Sequence, residues 1–195
     1  MAEVLMFGGA NGSGKTTVAL TMLPTYFDVY EFVNADEIAK GLNPLKPETA
    51  NISAGRVMIR RISDLTESKK NFAFETTCAG KRHIHTFNRC REVGYSIHMI
   101  FLWLPSPEAA IERVKARVLQ GGHSIPEDTI HRRYQTGLSN AINLYLPMVN
   151  NAIFIDNSDY DPKNIKKIAE KKAAAPIKIY NSSMWSDIVK FASKV

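Results

Sequence analysis

The stretch GGANGSGKTT, from Gly8 to Thr17, constrains the fold of this chain more than any other segment. It fits the spacing G-x-x-x-x-G-K-[ST], follows the apolar run VLMF, and leads into KTTVALTML, a segment typical of a helix. Glycines let backbone N–H groups turn inward around a phosphate, and a helix N-terminus attracts anions. We therefore expect a phosphate-binding loop between a buried strand and a helix.

This loop also predicts which residues would hold ATP and magnesium. Lys15 supplies a point charge for the β and γ phosphates, and the hydroxyl of Thr16 is placed to ligate Mg²⁺. A flexible Gly/Ser turn that matches the spacing by chance is the alternative, and the flanking strand and helix disfavour it. The expected nucleotide-binding residues of the loop are Gly9, Ala10, Asn11, Gly12, Ser13, Gly14, Lys15, Thr16 and Thr17.

Size and composition favour one domain over residues 1–195, because 195 residues with 45% hydrophobic content suit one substantial core. The formal net charge of +6 is compatible with nucleic-acid binding and with a pocket for a triphosphate and an anionic substrate. The charge alone does not distinguish these two functions. Cys78 and Cys90 form no C-x-x-C pair, so we expect buried thiols in a reducing cytoplasm. The longest apolar stretch, MIFLWL, is too short for a membrane helix.

Apolar runs and helical patterns alternate along the chain. This alternation predicts an α/β fold, a P-loop kinase-like three-layer sandwich with a mostly parallel five-stranded sheet and helices on both faces. The predicted strands are 4–7, 29–36, 72–77, 95–104 and 152–155, and the predicted helices are 15–23, about 52–69, 81–92, 106–119 and 130–149. Ser106 is the expected N-cap of the fourth helix.

The C-terminal part is basic and rich in alanine. Its segment KNIKKIAEKKAAAP is expected to be a solvated helix, IKIY an edge strand, and MWSDIVKFASKV a final packing helix.

Two acidic residues come where predicted strands end. Asp36 follows the second strand and Glu75 ends the third, on the rim where ligands of parallel sheets collect. We expect both to bind an acceptor, with Asp36 taking the proton of its hydroxyl group. Asp36 could instead cap a helix beginning at Glu37. Thr76 and Thr77 are weaker substrate-binding candidates, and could simply be residues at a strand end.

Four arginines flank the glycine-containing segment QGGH, residues 120–123. Two helices that carry arginines with a glycine hinge between them predict a lid, approximately residues 113–133, that closes over the transferring phosphate. We expect Arg117 and Arg132 to be catalytic, and Arg113 and Arg133 to bind the nucleotide. The alternative is an ordinary solvated helix face. His123, at the tip, is a weak catalytic candidate.

Two classes of nucleotide-binding protein are disfavoured. The chain has no N-K-x-D segment of a GTPase and no L-S-G-G-Q signature of an ABC-type ATPase. Among these classes of nucleotide-binding protein, the sequence favours a kinase with a lid.

Several motifs in order, GGANGSGKTT, NADEIAKGLNP, FAFETT, RVKARVLQGGHSIPEDTIHRRY and FIDNS, resemble the zeta toxin family of P-loop kinases, and its short chromosomal branch most closely. The resemblance implies transfer of phosphate from ATP, with Mg²⁺, to the 3′-hydroxyl of the aminosugar in UDP-N-acetylglucosamine, and restraint by an antitoxin. It also implies that Asp36 is the base, that Glu75 contacts the sugar, and that Asn157 in FIDNS lies at the nucleotide.

Two other functions stay open. One is a kinase of another acceptor, such as a nucleoside, a sugar or a polynucleotide end. A nucleic-acid acceptor is disfavoured. Binding of nucleic acid typically requires a basic stripe with interleaved aromatic residues, and only the C-terminal lysines resemble that pattern. The other is a switch protein that binds ATP without catalysis, for which an acceptor base such as Asp36 would be unnecessary.

Overall fold

The structure of the protein is a computed structural model that describes residues 1–122, 124–159 and 166–193. In these ranges seven strands form one sheet, in the order β2-β3-β1-β4-β5-β6-β7. The pairs among the first five strands of this order are parallel, and β5-β6 and β6-β7 are antiparallel. The strands are β1 Glu3–Gly9, β2 Phe32–Val33, β3 Phe72–Thr76, β4 Ser96–Trp103, β5 Asn151–Asp156, β6 Lys166–Lys172 and β7 Lys178–Ile179.

Helices connect the parallel strands. They are α1 Lys15–Met22, α2 Ala35–Leu42, α3 Asn51–Glu67, α4 His83–Glu92, α5 Pro107–Leu119, α6 Glu127–Asn140, α7 Leu146–Met148 and α8 Ser182–Ala192. A π-helical turn, Leu23–Phe27, extends α1, a 3₁₀ turn, Pro47–Ala50, precedes α3, and a second π-helical turn, Ala141–Tyr145, joins α6 to α7. Ser106 caps α5 by accepting a hydrogen bond from the backbone N–H of Ala109, as predicted.

The central strand β1 is buried on both faces, as a strand covered by helices on both sides must be. Its side chains alternate between two apolar clusters: Val4 and Met6 pack towards α3, α4, α6 and α8, and Leu5 and Phe7 pack towards α1. The predicted three-layer α/β architecture is therefore confirmed.

Strand register brings the expected site residues to one rim. Phe7 of β1 lies beside Glu75 of β3, and Gly8 lies beside Thr76. The phosphate loop, which leaves the end of β1, therefore begins next to the acidic end of β3.

The predicted solvated helix at residues 163–176 is wrong where it is described, because Lys166–Lys172 is a strand. It pairs with the open edge of β5, and Ile168, Ala169 and Glu170 are buried there. Backbone pairing with an available edge overrides the helix preference of an alanine- and lysine-rich segment. The sheet consequently has seven strands instead of five. IKIY supplies edge strand β7, as expected, and residues 163–165 lie outside the described ranges.

Two further local predictions need correction. The second strand is only Phe32–Val33, and the following helix begins at Ala35 instead of Glu37. The near-helical period through Ile52, Met58, Ile59, Ile62 and Leu65 predicts the buried side of α3. In the structure Ala54, Met58, Ile62 and Leu65 are buried, whereas Ile52 and Ile59 are 76% and 47% exposed. A spacing of four residues keeps Ala54, Met58 and Ile62 on one side of the helix, and Ile52 lies off that side.

None of the described helices is long and apolar enough to span a membrane.

Candidate functional site

The phosphate loop has a backbone that only glycine adopts readily. Gly14, the residue before α1, has φ of 82°, in the left-handed region. A Cβ on Gly14 would also lie 2.7 Å from the side-chain nitrogen of Asn157. Asn157 donates a hydrogen bond of 2.7 Å to the carbonyl of Ser13, so it holds the loop directly. The other nucleotide-binding positions expected from the sequence, from Gly9 to Thr17, lie in this loop and the first turn of α1.

Lys15 is buried at the base of this loop, and its Nζ donates to the carbonyl of Ala10 at 2.8 Å. Burial lowers the pKa of Lys15, while Glu75 and Asp36 oppose that change through their charges. The lysine and the two expected acidic residues are therefore electrostatically coupled. A phosphate at the loop would supply the negative charge that a desolvated ammonium group requires.

A second polar contact beside the phosphate loop joins Thr16 and Glu75. The hydroxyl of Thr16 donates to Oε2 of Glu75 at 2.7 Å, and the amide of Asn34 approaches the same hydroxyl at 3.4 Å. Burial raises the pKa of Glu75, while Lys15 and the hydrogen bond from Thr16 lower it. Two hard oxygen donors thus meet beside the phosphate loop, the ligand type that Mg²⁺ prefers.

Asp36 lies in the first turn of α2, and Asn34 is the N-cap. The side chain of Asn34 accepts hydrogen bonds from the backbone N–H groups of Asp36 and Glu37, at 2.8 and 3.2 Å. The capping role considered for Asp36 is therefore wrong. Its carboxylate has no hydrogen bond or ion pair with a side chain in the described ranges, and it faces a cavity.

This cavity, which we call the acceptor cavity, has a volume of about 470 Å³. That is in the usual range for a small-molecule site. The structure brings most of the expected catalytic and acceptor-binding residues to its wall. The lining residues are Asn11, Lys15, Asn34, Ala35, Asp36, Gly55, Met58, Glu75, Thr76, Thr77, Ala79, Gly80, Arg82, His83, Arg132, Arg133 and Thr136.

The four arginines of the expected lid divide into two pairs. Arg132 and Arg133 of α6 line the acceptor cavity, and Arg133 contacts the side-chain oxygen of Asn11 in the loop at 3.4 Å. Arg113 and Arg117 of α5 do not line it. Arg113 donates to the carbonyl of Ser158 at 2.6 Å, on the same side as Asn157. His123 lies outside the described residues.

The loop after β3, Thr77–Gly80, forms another wall of the cavity and is held by the end of α6. Asn140 donates to the carbonyls of Cys78 and Ala79, at 2.9 and 3.2 Å, and Tyr145 donates to the carbonyl of Gly80. A Cβ on Gly137 would collide with the carbonyl oxygen of Thr77, so glycine is needed for this close approach.

Sequence reasoning missed several cavity residues, above all Asn34, Arg82, His83 and Thr136. Asn34 could have been found, because Asn with acidic residues two and three positions later, as in Asn-Ala-Asp-Glu, is typical of a helix start. No local pattern marks the other three, since they reach the cavity only through long-range packing of α4 against β3 and of α6 against the loop after β3.

A phosphate loop after the first strand, a mostly parallel sheet and helices on both faces define a P-loop kinase-like fold. The chain belongs to the AAA_33 family, described as an AAA domain, whose model matches residues 4–136. It is also 32% identical, over 132 residues, to an uncharacterized protein of Haemophilus influenzae, with 68% of this chain and 92% of that protein covered.

Solved structures show the same fold. A chain of the PezAT chromosomal toxin–antitoxin system of Streptococcus pneumoniae has a TM-score of 0.63 and 12% identity, with 100% of this chain and 87% of that chain covered. A chain of the AvrRxo1-ORF1:ORF2 complex with ATP has a TM-score of 0.69 and 15% identity, with 96% and 63% covered. This chain thus spans less than two thirds of the latter. At these identities the likeness concerns the fold alone.

Proposed function

We propose that the protein is an ATP-dependent phosphotransferase that phosphorylates a hydroxyl group of a small molecule. The observation that carries this proposal is that a buried phosphate-loop lysine, an unengaged aspartate, a glutamate and two arginines line the same cavity. A protein that only bound ATP would need the lysine and the loop, but no acceptor cavity with a carboxylate in its wall.

Lys15, Arg132 and Arg133 supply the positive charge for phosphoryl transfer. Lys15 would hold the β and γ phosphates, and the two arginines of α6 would neutralise charge that develops on the transferring group. Arg113 donates to the carbonyl of Ser158, and Asn157 donates to the carbonyl of Ser13, so the remainder of the nucleotide would bind near these residues. The charge of Arg117 acts on Lys15. Arg117, which we expected to be catalytic, is in this proposal a nucleotide-binding residue.

Magnesium would be held at Thr16, with Glu75 beside it. The 2.7 Å hydrogen bond between the two side chains places two oxygen donors within reach of one ion. The ion would neutralise phosphate charge. In this arrangement Glu75 mainly serves the metal ion, and its contact with the acceptor contributes less than its contact with the metal.

Asp36 is the residue best placed to act as general base. Its carboxylate would accept the proton of the acceptor hydroxyl while the acceptor oxygen bonds to the γ phosphorus. The bond from that phosphorus to the β–γ bridging oxygen would break, and ADP would leave. Thr76 and Thr77 would orient the acceptor by hydrogen bonds.

The acceptor that we propose first is a UDP-N-acetyl aminosugar. The motifs shared with zeta toxins support it, as does the fold shared with a chain of the PezAT toxin–antitoxin system. An antitoxin partner is proposed on the same grounds, and use of ATP implies a cytoplasmic location. A kinase of another small hydroxyl compound is the alternative.

Asp36→Asn tests the proposed activity. We expect the variant to bind ATP and to fold like the wild type, because Asn34 and not Asp36 caps α2, and to lose phosphotransfer by roughly 10²-fold or more because an amide cannot take the proton. Phosphorylation of a panel of acceptors would be read by mass spectrometry, with ATP affinity and melting temperature measured on the same preparation. Asp64→Asn, an exposed site on α3, is the matched control. Unchanged phosphotransfer in Asp36→Asn would exclude Asp36 as the base.

A further inference from the structure

Asn34 lies between the two parts of the site that the proposed reaction must bring together. It follows β2, where Val33 pairs with Phe74 of β3, so Asn34 and Glu75 leave the two strands side by side. The residue is only 5% exposed, and it lines the acceptor cavity. A side chain in this place can contact polar groups on both sides of it.

The orientation of the Asn34 amide is fixed by α2. Its Oδ1 accepts hydrogen bonds from the backbone N–H groups of Asp36 and Glu37, at 2.8 and 3.2 Å. Backbone N–H groups can only donate, so the amide oxygen must face them and the amide nitrogen must face away. Nδ2 lies 3.4 Å from the hydroxyl oxygen of Thr16, to which it can donate. One side chain thus joins the first turn of α2 to the first turn of α1.

The hydroxyl group of Thr16 is engaged from two directions by the described residues. A threonine hydroxyl has one hydrogen to donate and two lone pairs that accept. The hydrogen is donated to Oε2 of Glu75, at 2.7 Å, and one lone pair faces the amide of Asn34. The second lone pair is therefore the one that a magnesium ion can use, and the two protein contacts restrict rotation of the hydroxyl.

The contact between Asn34 and Thr16 is suited to orientation more than to stability. A distance of 3.4 Å is long for an N–H···O hydrogen bond, so loss of the contact should cost little folding free energy. Side chains that orient a metal ligand nevertheless change metal affinity by about 10–100-fold when they are replaced. The two roles of Asn34, helix cap and partner of Thr16, can therefore be separated by experiment.

We propose that Asn34 is a positioning residue for phosphoryl transfer. Through Nδ2 it orients the Thr16 hydroxyl for magnesium, and through Oδ1 it holds the first turn of α2, and with it Asp36, in a fixed place relative to Thr16. In-line transfer requires that the base and the metal-bound phosphate keep a defined geometry. The link to Asp36 rests on the proposed function, whereas the link to Thr16 requires only that the loop binds a nucleotide with magnesium.

Asn34→Ser separates the two roles. Serine caps a helix about as well as asparagine, but its short side chain has no amide that could reach Thr16. We expect a melting temperature like that of the wild type. The Mg²⁺ concentration for half-maximal binding of a non-hydrolysable ATP analogue should rise roughly tenfold.

Asn181→Ser is the matched control. Asn181 is the N-cap of α8, accepts a hydrogen bond from the backbone N–H of Met184, and does not line the acceptor cavity. Its serine variant should keep the wild-type magnesium requirement. If Asn34 were only a helix cap, Asn34→Ser would keep that requirement too, and this result would overturn the proposal.

Thr16→Val shows whether Asn34 acts through Thr16. Valine has no hydroxyl group, so adding Asn34→Ser to Thr16→Val should raise the magnesium requirement no further. Two contacting residues that act together are non-additive in this way. A rise of the same size in both backgrounds would mean that Asn34 acts through the fold in general, and would also overturn the proposal.

Turnover tests the link to Asp36. At saturating Mg²⁺ and ATP, Asn34→Ser should lower kcat roughly tenfold and leave KM for the acceptor unchanged, because the metal-bound phosphate is no longer held in line with Asp36. A wild-type kcat would overturn this link. Absence of phosphotransfer in the wild type itself would reject the proposed function, and the binding measurements would still decide the role of Asn34 at Thr16.

Discussion

At the scale of single residues, the hydrogen bond between Thr16 and Glu75 links two candidates that the sequence assigned to different tasks. Thr16 was expected at the metal and Glu75 at the acceptor, yet their oxygens are 2.7 Å apart. Burial raises the pKa of Glu75, because removing a carboxylate from water disfavours its charged form. A bound divalent cation would reverse this effect, so metal binding and ionisation of Glu75 should be coupled.

We therefore predict that Glu75→Gln raises the Mg²⁺ concentration needed for half-maximal activity by about tenfold or more, since the amide keeps the shape but loses the charge. Thr16→Val should act in the same direction because it removes the hydroxyl oxygen. Magnesium titrations of phosphotransfer at saturating ATP would measure both. Glu67→Gln, at the exposed end of α3, is the control. An unchanged magnesium requirement in both variants would place the metal elsewhere.

At the scale of secondary-structure elements, α6 serves two parts of the site. Its first half carries Arg132 and Arg133, which line the acceptor cavity. Its second half and the following π-helical turn hold the Thr77–Gly80 loop through Asn140 and Tyr145. Because α6 is fixed to the Thr77–Gly80 loop, it should hold its two arginines at a constant distance from an acceptor bound in the cavity.

Alanine substitutions should distinguish the two helices of the expected lid. We predict that Arg132→Ala or Arg133→Ala, whichever residue reaches the transferring phosphate, lowers kcat by about 10³-fold. Arg113→Ala should mainly weaken ATP binding, because Arg113 contacts Ser158 and lies outside the acceptor cavity. Arg60→Ala, exposed on α3, should behave like the wild type. The role of α6 is wrong if both of its single variants keep wild-type kcat.

The contact between α6 and the loop predicts the effect of Gly137→Ala. Alanine is a better helix former than glycine by about 1 kcal/mol, but here its Cβ would collide with the carbonyl of Thr77. We expect a net loss of about 1–3 kcal/mol in unfolding free energy, and a raised KM for the acceptor.

Gly41→Ala provides the matched comparison in α2. No atom lies within 4 Å of a Cβ built on Gly41, so this variant should be neutral or slightly stabilised. Urea unfolding of the two variants side by side would measure the difference. Equal stabilities would mean that the close approach of Gly137 to the loop is not required.

The same elements illustrate what sequence can and cannot predict. The glycine loop, β1, α1, Ser106 and the helices from α3 to α5 follow from local patterns, and their predicted bounds are close to the actual ones. The helix predicted over 130–149 instead comprises α6, a π-helical turn and α7. Strand β6 was not, because its segment has a helix-like composition and becomes a strand only by pairing with β5. In the site, Lys15, Asp36 and Glu75 follow from position along the chain, whereas Arg82 and His83 depend on packing between distant elements.

At the scale of the whole molecule, buried titratable groups at the site make folding stability depend on pH in opposite directions. His83 has its pKa lowered by burial from 6.5 to about 4, so the unfolded chain binds a proton in a range where the folded chain does not. Its contribution to stability is complete above about pH 6.5 and is lost as the pH falls towards 4. Glu75, whose pKa burial raises, contributes stability that is lost as the pH rises through that pKa.

We predict that His83→Gln flattens the acid side of the stability curve. Between pH 7.5 and pH 4 the wild type should lose up to about 3 kcal/mol more unfolding free energy than the variant, the amount that corresponds to pKa values of 6.5 and about 4. His85→Gln, exposed on the same helix, should follow the wild-type curve. Repeating the pair in a Glu75→Gln background removes the opposing carboxyl group, and the difference should persist there. Urea unfolding at half-unit pH intervals measures all five proteins. Parallel curves for wild type and His83→Gln would show that His83 is protonated equally in the folded and unfolded chains.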